Sequence, residues 1–415
     1  MSHAPPRFCK QCSYDLRGLT EPRCPECGRA FDPDDPRTYR KRPPRRWVKH
    51  AKRAALALLV LFLILAGTWG WFYLGWHDER QALLALNADP GNPHQVTYTS
   101  FLGPWAQRRL GRVGFVFDRV TMVHLEGSFQ VPDLAPLARL KRLRDLFLSD
   151  SCITNVAPLA GRIRLKRLYL SSFQLTDVAP LASLTELEEL YLFETRVRDL
   201  TPLARMTKLR RLMLDNDGAT DATPLAGLTN LEYLRLNDRS IANVRPLARL
   251  TQLQTLELRG TRVSDIAPLA GMMRLTRLDL SETRVDDLRP LAPLANMEDL
   301  CLFRTPAVDL KPLARMRRLR KLNLDDTPVT DLGPLASVSG LEEVFLTDTH
   351  VTSLEPLRGL AKLHHLHLRR APVQDLAPLS ELKSLRELVL PKDTITQEQA
   401  DALQRELPAC DILRD

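Results

Sequence analysis

Proline recurs at a fixed interval of 22 residues through the C-terminal two thirds of the chain. Each such proline lies in a phrase like Asp-Leu-Ala-Pro-Leu-Ala-Arg-Leu at 133–140, and ten residues later comes Leu-x-Leu, as at Leu146 and Leu148. One unit of this size cannot bury its leucines alone, so neighbouring units must stack into a solenoid with one continuous core. The prolines in this register are Pro136, Pro158, Pro180, Pro202, Pro224, Pro246, Pro268, Pro290, Pro312, Pro334, Pro356 and Pro378.

The consensus unit is L-x-x-L-x-L-x-x-T-x-V-x-D-L-x-P-L-A-x-L. Leucines at this spacing within a 20–29-residue period are typical of leucine-rich repeats. We therefore expect an α/β solenoid over residues 121–396: a curved, right-handed superhelix with a parallel sheet on its concave face. A C-terminal cap should follow at 397–415. Three residues before each proline stands Asp, Asn or Ser, and we expect these side chains to accept amides of the following helical turn.

Four cysteines lie close together at the start of the chain. Two Cys-x-x-Cys motifs, Cys9–Cys12 and Cys24–Cys27, are separated by eleven residues. Four thiolates at this spacing suit the tetrahedral geometry of Zn²⁺, and four protein ligands leave no open position for catalysis. Residues 1–39 are therefore predicted to form a small zinc ribbon with a structural ion. Two disulfides or a redox dithiol are the alternatives.

A basic segment and an uncharged segment follow the ribbon. Residues 40–53 hold eight Lys/Arg, and residues 54–76 hold no charged side chain. Twenty-three apolar residues are long enough to cross a bilayer core of about 30 Å, and aromatic residues crowd the C-terminal end of the segment, as is typical of a membrane interface. The sequence predicts one transmembrane helix at 54–76. The long polar segment before it and the basic residues 40–53 argue against a signal peptide and against a buried core helix.

Charge gives the expected orientation. Residues 1–53 hold fourteen Lys/Arg and six Asp/Glu, whereas the remainder holds 45 and 44, so the net charge of +9 belongs mainly to the N-terminal arm. The positive-inside rule places residues 1–53 in the cytoplasm and the repeats outside it, in the periplasm or the extracellular space. Residues 40–53 are expected to contact anionic lipid headgroups. A nucleic-acid partner is disfavoured because few aromatic residues accompany the basic ones.

Each repeat strand should present three side chains on the concave face. In the column before the first leucine, neighbouring charged residues always have opposite signs, which predicts a stabilising salt-bridge ladder. His365 and His367 share this face with Glu343 and Glu387, which leaves a metal site there as an alternative reading.

The middle column begins with three consecutive aromatic residues, Phe147, Tyr169 and Tyr191, and Phe193 adjoins them. Aromatic side chains exposed on a sheet are typical of an interface. We therefore expect a ligand to bind these four residues, with Arg235 and Glu257 at the polar margin. Alternatively, residues 81–120, in the predicted linker and N-terminal cap at 77–120, fold over the patch.

The region 120–415 resembles the 22-residue, internalin-like leucine-rich repeats of bacteria, and the segment from Cys9 to Gly28 resembles the short zinc ribbon at the start of many bacterial membrane proteins. Ser13 departs from the glycine usual in that ribbon. The resemblance implies a non-catalytic ectodomain that binds a protein or cell-envelope ligand. No nucleophile–base pair or phosphate loop is apparent. A structural or sensory protein whose ribbon recruits a cytoplasmic partner is the alternative.

Overall fold

The structure is a computed structural model that divides into two compact units, Met1–Trp76 and His77–Asp415. Each unit is described by itself below. The described residues are 5–42, 45–86, 96–100, 118–125, 133–149, 153–216 and 218–415.

The first unit begins with a small ribbon. Strand β1 (Phe8–Cys9) pairs antiparallel with β2 (Tyr39–Arg40). Its core is correspondingly small, and the leucine and aromatic side chains in it lie beside cysteines. The buried members are Cys9, Leu16, Cys24, Phe31 and Tyr39. A core of this size buries little apolar area, so it needs another source of stability.

Helix α1 (Arg45–Ala85) contains the predicted transmembrane segment. Its stretch Ala51–Ala85 is long and apolar enough to span a membrane, with a mean hydropathy of 2.2 in an 18-residue window of which none is buried. The helix is continuous through residues 77–85, which lie in the predicted linker and N-terminal cap. No Gly or Pro signal interrupts the chain there, and helical hydrogen bonding simply propagates.

The second unit is a solenoid built on one sheet of fifteen strands among the described residues. Strands β4 to β17 run parallel in chain order, and β3 pairs antiparallel with β4 at one end. This confirms the parallel sheet expected from the repeats. The strands are β3 (Val96–Ser100), β4 (Asp118–Leu125), β5 (Asp145–Leu148), β6 (Arg167–Ser171), β7 (Glu189–Thr195), β8 (Arg211–Asn216), β9 (Tyr233–Leu236), β10 (Thr255–Glu257), β11 (Arg277–Asp279), β12 (Asp299–Cys301), β13 (Lys321–Asn323), β14 (Glu343–Phe345), β15 (His365–His367), β16 (Glu387–Leu390) and β17 (Asp411–Arg414).

Register follows the repeat directly. From β5 to β16 residues pair with the residue 22 positions later, as Leu256 does with Leu278. The exception is the end of β7, where a register shift pairs Thr195 with Asn216. At the first repeat Val123 pairs with Leu146, a separation of 23 residues, so the terminal repeat carries one extra residue without loss of register. The inward leucines of all repeats form one continuous buried cluster. We call the opposite side of the sheet the open face.

Each repeat returns through a short 3₁₀ turn in place of an α-helix. At all twelve positions the Asp, Asn or Ser side chain accepts a hydrogen bond from the backbone amide two residues later, as Asp199 does from Thr201 at 2.8 Å. The acceptor therefore satisfies the amide immediately before the proline, which itself has none. Positions with the same contact are 133, 155, 177, 221, 243, 265, 287, 309, 331, 353 and 375.

Both ends of the solenoid core are covered. At the C-terminal end, α2 (Gln397–Glu406) begins with a capping box between Thr396 and Gln399 and is followed by β17. At the N-terminal end, Ala82, Leu83 and Leu86 join the leucine core. Terminal repeats need such coverage because their last leucines have no further neighbour.

Candidate functional site

The four cysteines of the ribbon converge on one point. Their sulfur atoms all lie within 4.8 Å of one another, with Cys9 Sγ 3.6 Å from Cys27 Sγ and Cys12 Sγ 3.3 Å from Cys24 Sγ. All four thiols are free. A tetrahedral ion with metal–sulfur bonds of about 2.3 Å separates its sulfur ligands by about 3.8 Å. The geometry therefore fits a metal ion and does not fit two disulfides.

The backbone of the first Cys-x-x-Cys turn favours the thiolate form of Cys9. Burial opposes ionisation of Cys9, yet hydrogen bonds from the backbone amides of Cys12 and Gln11 lower its pKa to about 6. Each knuckle turns through a left-handed residue, Ser13 with φ of 68° and Gly28 with φ of 70°. Only glycine adopts this conformation without cost, so the first knuckle carries backbone strain that the second avoids.

The first column of the open face forms ion pairs between neighbouring strands. Arg167 Nε lies 2.7 Å from Asp145 Oδ1, and Lys321 Nζ lies 3.0 Å from Glu343 Oε2. His365 and His367 both contact the carboxylate of Glu387, at 3.1 and 3.3 Å. Among the described residues the four ribbon cysteines are the one group of three or more side chains whose arrangement suits a metal ion. The histidines thus extend the ladder.

The aromatic residues of the middle column stack along the sheet. The ring of Tyr169 lies 4.4 Å from that of Phe147 and 4.0 Å from that of Tyr191, centroid to centroid. Phe193 stands next to the stack, 6.1 Å from Tyr191, and His124 extends it from β4, 5.3 Å from Phe147. We call these five side chains the aromatic stack. Their spacing matches that of neighbouring strands.

The expectation that all these rings are exposed is wrong for Tyr191, which is 5% exposed. Its hydroxyl donates to Glu189 at 3.2 Å and accepts from Arg211 Nε at 2.9 Å, so polar neighbours and Tyr169 enclose the ring. Loss of this side chain therefore affects packing as well as any interface. The alternative that residues 81–120 cover the stack concerns mainly residues 87–95 and 101–117, which lie outside the described part of the chain.

Arg235 and Glu257 lie beyond the stack and bind each other. Arg235 Nε donates to Glu257 Oε2 at 2.5 Å, and a second nitrogen reaches Asp215 Oδ2 at 3.4 Å. Tyr233 donates its hydroxyl to the other Glu257 oxygen at 2.5 Å, and burial together with this bond raises the pKa of Tyr233 to about 12. The positive charge of Arg235 is neutralised by Glu257 and Asp215, and the bonds between these side chains make them a rigid border of the site.

A groove of about 980 Å³ adjoins the aromatic stack where the strands of β5 to β10 end. Phe193 belongs to both, and Phe173 is 61% exposed at the groove's edge. Asp215 Oδ1 and Asn237 Oδ1 are buried there without a hydrogen-bond partner among the described residues, and burial raises the pKa of Asp215. The charged lining residues are Glu194, Arg196, Asp215, Arg239, Arg259 and Glu282.

The middle column of the repeats does not by itself predict most of the residues that line this groove. The signal was present in the third column, where Phe193, Asp215, Asn237 and Arg259 recur at 22-residue spacing on consecutive strands. Phe173 has no such signal, because it lies in the loop after β6. Glu194 and Glu282 have positive φ values, but later repeats share this conformation, so it belongs to the repeat architecture.

Comparison with known proteins agrees with this architecture. A family model described as leucine-rich repeats in two copies matches residues 163–205. A search of curated proteins finds no match by sequence. The family model covers two of the repeats, and the remaining ones continue its register without a break.

Solved structures extend the likeness over most of the chain. An internalin from Listeria monocytogenes is similar over 74% of this chain and 92% of its own, with 25% identity and a TM-score of 0.66. A leucine-rich-repeat protein of Leptospira interrogans has 19% identity and a TM-score of 0.57, covering 70% of this chain and 89% of its own. The plant peptide hormone receptor RGFR1, solved in complex with RGF2, has 15% identity and a TM-score of 0.55, covering 71% of this chain and 52% of its own.

These findings show leucine-rich repeats at residues 163–205 and a fold similar to that of solved leucine-rich-repeat proteins. Within that class the solenoid of this chain is similar to those of bacterial internalins.

Proposed function

We propose that the solenoid binds a protein ligand on the open face of β5 to β10, through the aromatic stack and the adjoining groove. The observation that carries this proposal is the continuity of the two features at Phe193. Stacked rings supply a rigid apolar surface, and such surfaces dominate most protein interfaces. Among structures with this fold, the plant receptor was solved with a bound partner.

The groove also indicates what the ligand must present. Two buried acceptor atoms, Asp215 Oδ1 and Asn237 Oδ1, belong to its lining residues and have no donor in the part of the chain that the structure describes. A buried acceptor without a donor costs about 1–3 kcal/mol, which a ligand donor recovers. Phe193 and Phe173 beside them suit an apolar group. The ligand is therefore a protein segment with an apolar side chain next to an amide, ammonium or guanidinium donor.

The test compares two phenylalanines at equivalent positions of the repeat. Phe193→Ala removes the ring shared by stack and groove, whereas Phe303→Ala removes the third-column phenylalanine five repeats later. Full-length wild-type and variant chains are used to capture envelope and secreted proteins. The specific ligand should be retained by wild type and Phe303→Ala, and its affinity should fall at least about 30-fold in Phe193→Ala, equivalent to 2 kcal/mol.

Equal loss in both variants, or none in either, would place the interface elsewhere. A thermal melt of each variant separates binding from folding. Phe193 is only partly buried, so its replacement should leave the melting temperature near that of wild type. Tyr191→Ala should lower the melting temperature, because that ring is enclosed.

We further propose that α1 anchors the chain as a single-pass membrane protein, with residues 1–53 cytoplasmic and the repeats outside. The apolar stretch in α1 and the basic residues before it support this arrangement. Single exposed cysteines test it: Glu21→Cys in the ribbon and Ser339→Cys in the solenoid. In spheroplasts a membrane-impermeant maleimide should label Cys introduced at 339 and reach position 21 only after lysis. The reverse pattern would invert the topology.

The ribbon, by this proposal, holds one structural zinc ion through Cys9, Cys12, Cys24 and Cys27. Four convergent free thiols, two of them in the small ribbon core, support it, and four thiolates are a common ligand set of structural zinc. Elemental analysis of the purified full-length chain should give one zinc per protein, falling to none in Cys24→Ser. A stoichiometric iron content would identify a different ion.

A further inference from the structure

The flank of the first two repeats is strongly basic. Residues 139–167 hold eight Lys/Arg and two Asp, whereas the equivalent window two repeats later, 183–211, holds six Lys/Arg and five Asp/Glu. The basic side chains lie where the chain turns from the 3₁₀ segment back into the strand. We call Lys141, Arg144, Arg162 and Arg164 the basic flank. It is separate from the aromatic stack, which lies on the open face.

The charges of the basic flank are not neutralised within the described residues. Lys141, Arg144 and Arg164 have no carboxylate within ion-pair distance there. Equivalent positions further along are paired across repeats: Lys208 with Glu186 at 2.6 Å, and Arg210 with Glu232 at 2.6 Å. The repeat can therefore accommodate cross-repeat pairs at these positions. Lys166 in the second repeat forms such a pair with Glu188, whereas Arg144 and Arg164 form none among the described residues.

Arg162 occupies a core position of the repeat. Leu140 and Leu184, 22 residues before and after it, are buried. One Arg162 nitrogen donates to the Ala138 carbonyl at 2.9 Å, but Nε is buried without a partner among the described residues. A cavity of about 310 Å³ lies here, lined by Arg162, Lys141 and Arg164 together with Ile163, which is 60% exposed. Cationic groups beside an exposed apolar side chain suit a ligand that is anionic and amphipathic.

This flank lies beside the end of α1. Arg142 interacts electrostatically with Glu79 of α1 and is repelled by Arg164, Arg119 and Arg144. Burial and this repulsion lower the pKa of Arg142. Glu79 comes three residues after Trp76, the end of the uncharged segment, which is about 4.5 Å along a helix. Glu79, the partner of Arg142, therefore follows the uncharged segment by less than one turn of the same helix.

We propose that the basic flank binds the headgroups of anionic phospholipids in the membrane leaflet from which α1 emerges, with Ile163 entering the interface. This inference rests on the proposed membrane span. Lys and Arg near a membrane surface attract anionic lipids, and an apolar residue flanked by cations is the pattern of an interfacial contact. The contact would hold the first repeats at the membrane and leave the open face accessible to its ligand.

Hydrogen exchange of the full-length chain in nanodiscs tests the proposal. One set of nanodiscs contains phosphatidylglycerol and phosphatidylcholine, and the other phosphatidylcholine alone. Peptides covering 139–167 should exchange about fivefold more slowly in the anionic nanodiscs, the factor expected for roughly one cation's attraction. Peptides from later repeats should exchange equally in both. Hydrogen exchange is measured peptide by peptide. Any protection of residues 40–53 by lipids of the opposite leaflet is therefore seen separately from protection of residues 139–167.

Two matched variants sharpen the test. Lys141→Glu/Arg164→Glu reverses two charges of the basic flank and should abolish the lipid-dependent protection. Arg205→Glu/Arg249→Glu makes the same change at exposed positions of later repeats and should preserve it. Overall exchange of the β11–β16 core reports whether either variant is folded.

The outcomes separate the two proposals. A chain that fails to incorporate into nanodiscs through α1 overturns the membrane span itself. A chain that incorporates but shows equal exchange at 139–167 in both lipids overturns the basic-flank proposal alone. Protection in phosphatidylcholine nanodiscs of the same size also overturns it, since the contact would then not depend on anionic headgroups. If a soluble polyanion protects residues 139–167 without nanodiscs, and anionic nanodiscs do not protect them, the basic flank binds a partner other than lipid.

Discussion

The ribbon and the solenoid reach stability by different routes. Five buried residues, two of them cysteines, form the ribbon core, whereas every repeat of the solenoid adds fully buried leucines to one cluster. By our proposal the ribbon depends on a bound metal ion, because folding and metal binding are coupled in such small units. The solenoid depends on its neighbours, since each repeat covers the next. The two cores share no residue.

Removing the metal should give the largest difference between these regions. Cys24→Ser, or a strong chelator, should unfold residues 8–40, because binding of structural zinc supplies about 10–16 kcal/mol in comparable peptides. The solenoid should keep its melting temperature. Hydrogen exchange of the full-length chain measures both regions at once, and loss of protection in the repeats would contradict the independence of the cores.

A cavity in the solenoid core should give the opposite pattern. Leu278→Ala removes a fully buried side chain from β11 and should lower the free energy of unfolding by about 2–5 kcal/mol. Zinc content should not change. Arg277→Ala is the control: its side chain is 60% exposed and pairs with Asp299 at 3.1 Å, so its loss should cost at most about 1 kcal/mol.

The smallest effect should come from the strained knuckle. Ser13→Gly relieves a left-handed backbone and should stabilise the ribbon by about 1 kcal/mol, seen as roughly fivefold tighter zinc binding in a chelator competition. Gly28→Ala introduces the same strain in the second knuckle and should weaken binding by a similar factor. If the two substitutions change zinc affinity in the same direction, the left-handed φ angle does not control the difference in stability between the two Cys-x-x-Cys turns.

Much of the architecture was predictable because its causes are local and periodic. The 22-residue spacing fixes which residues pair between strands, as at Leu256 and Leu278. The side chain before each proline needs only an amide two residues away. The four ribbon cysteines were identifiable because each Cys-x-x-Cys turn places two thiols together, and two such turns converge.

Other features depend on contacts that no local pattern specifies. Tyr191 and Phe147 belong to the same column, yet Tyr191 is enclosed because Glu189, Arg211 and Tyr169 meet around its ring. Exposure depends on the lengths and rotamers of neighbouring side chains, which the repeat leaves variable.

The sequence by itself determined the solenoid and its strand register, because backbone geometry repeats whenever the pattern does. It also identified the four cysteines that cluster in the ribbon. Tertiary structure alone decided that the Oδ1 atoms of Asp215 and Asn237 lie buried beside Phe193 with no hydrogen-bond partner among the described residues. It also decided that Arg142, far from α1 in sequence, lies within electrostatic range of Glu79. Burial and electrostatic potential sum over all nearby atoms, so they exist only once distant parts of the chain have come together.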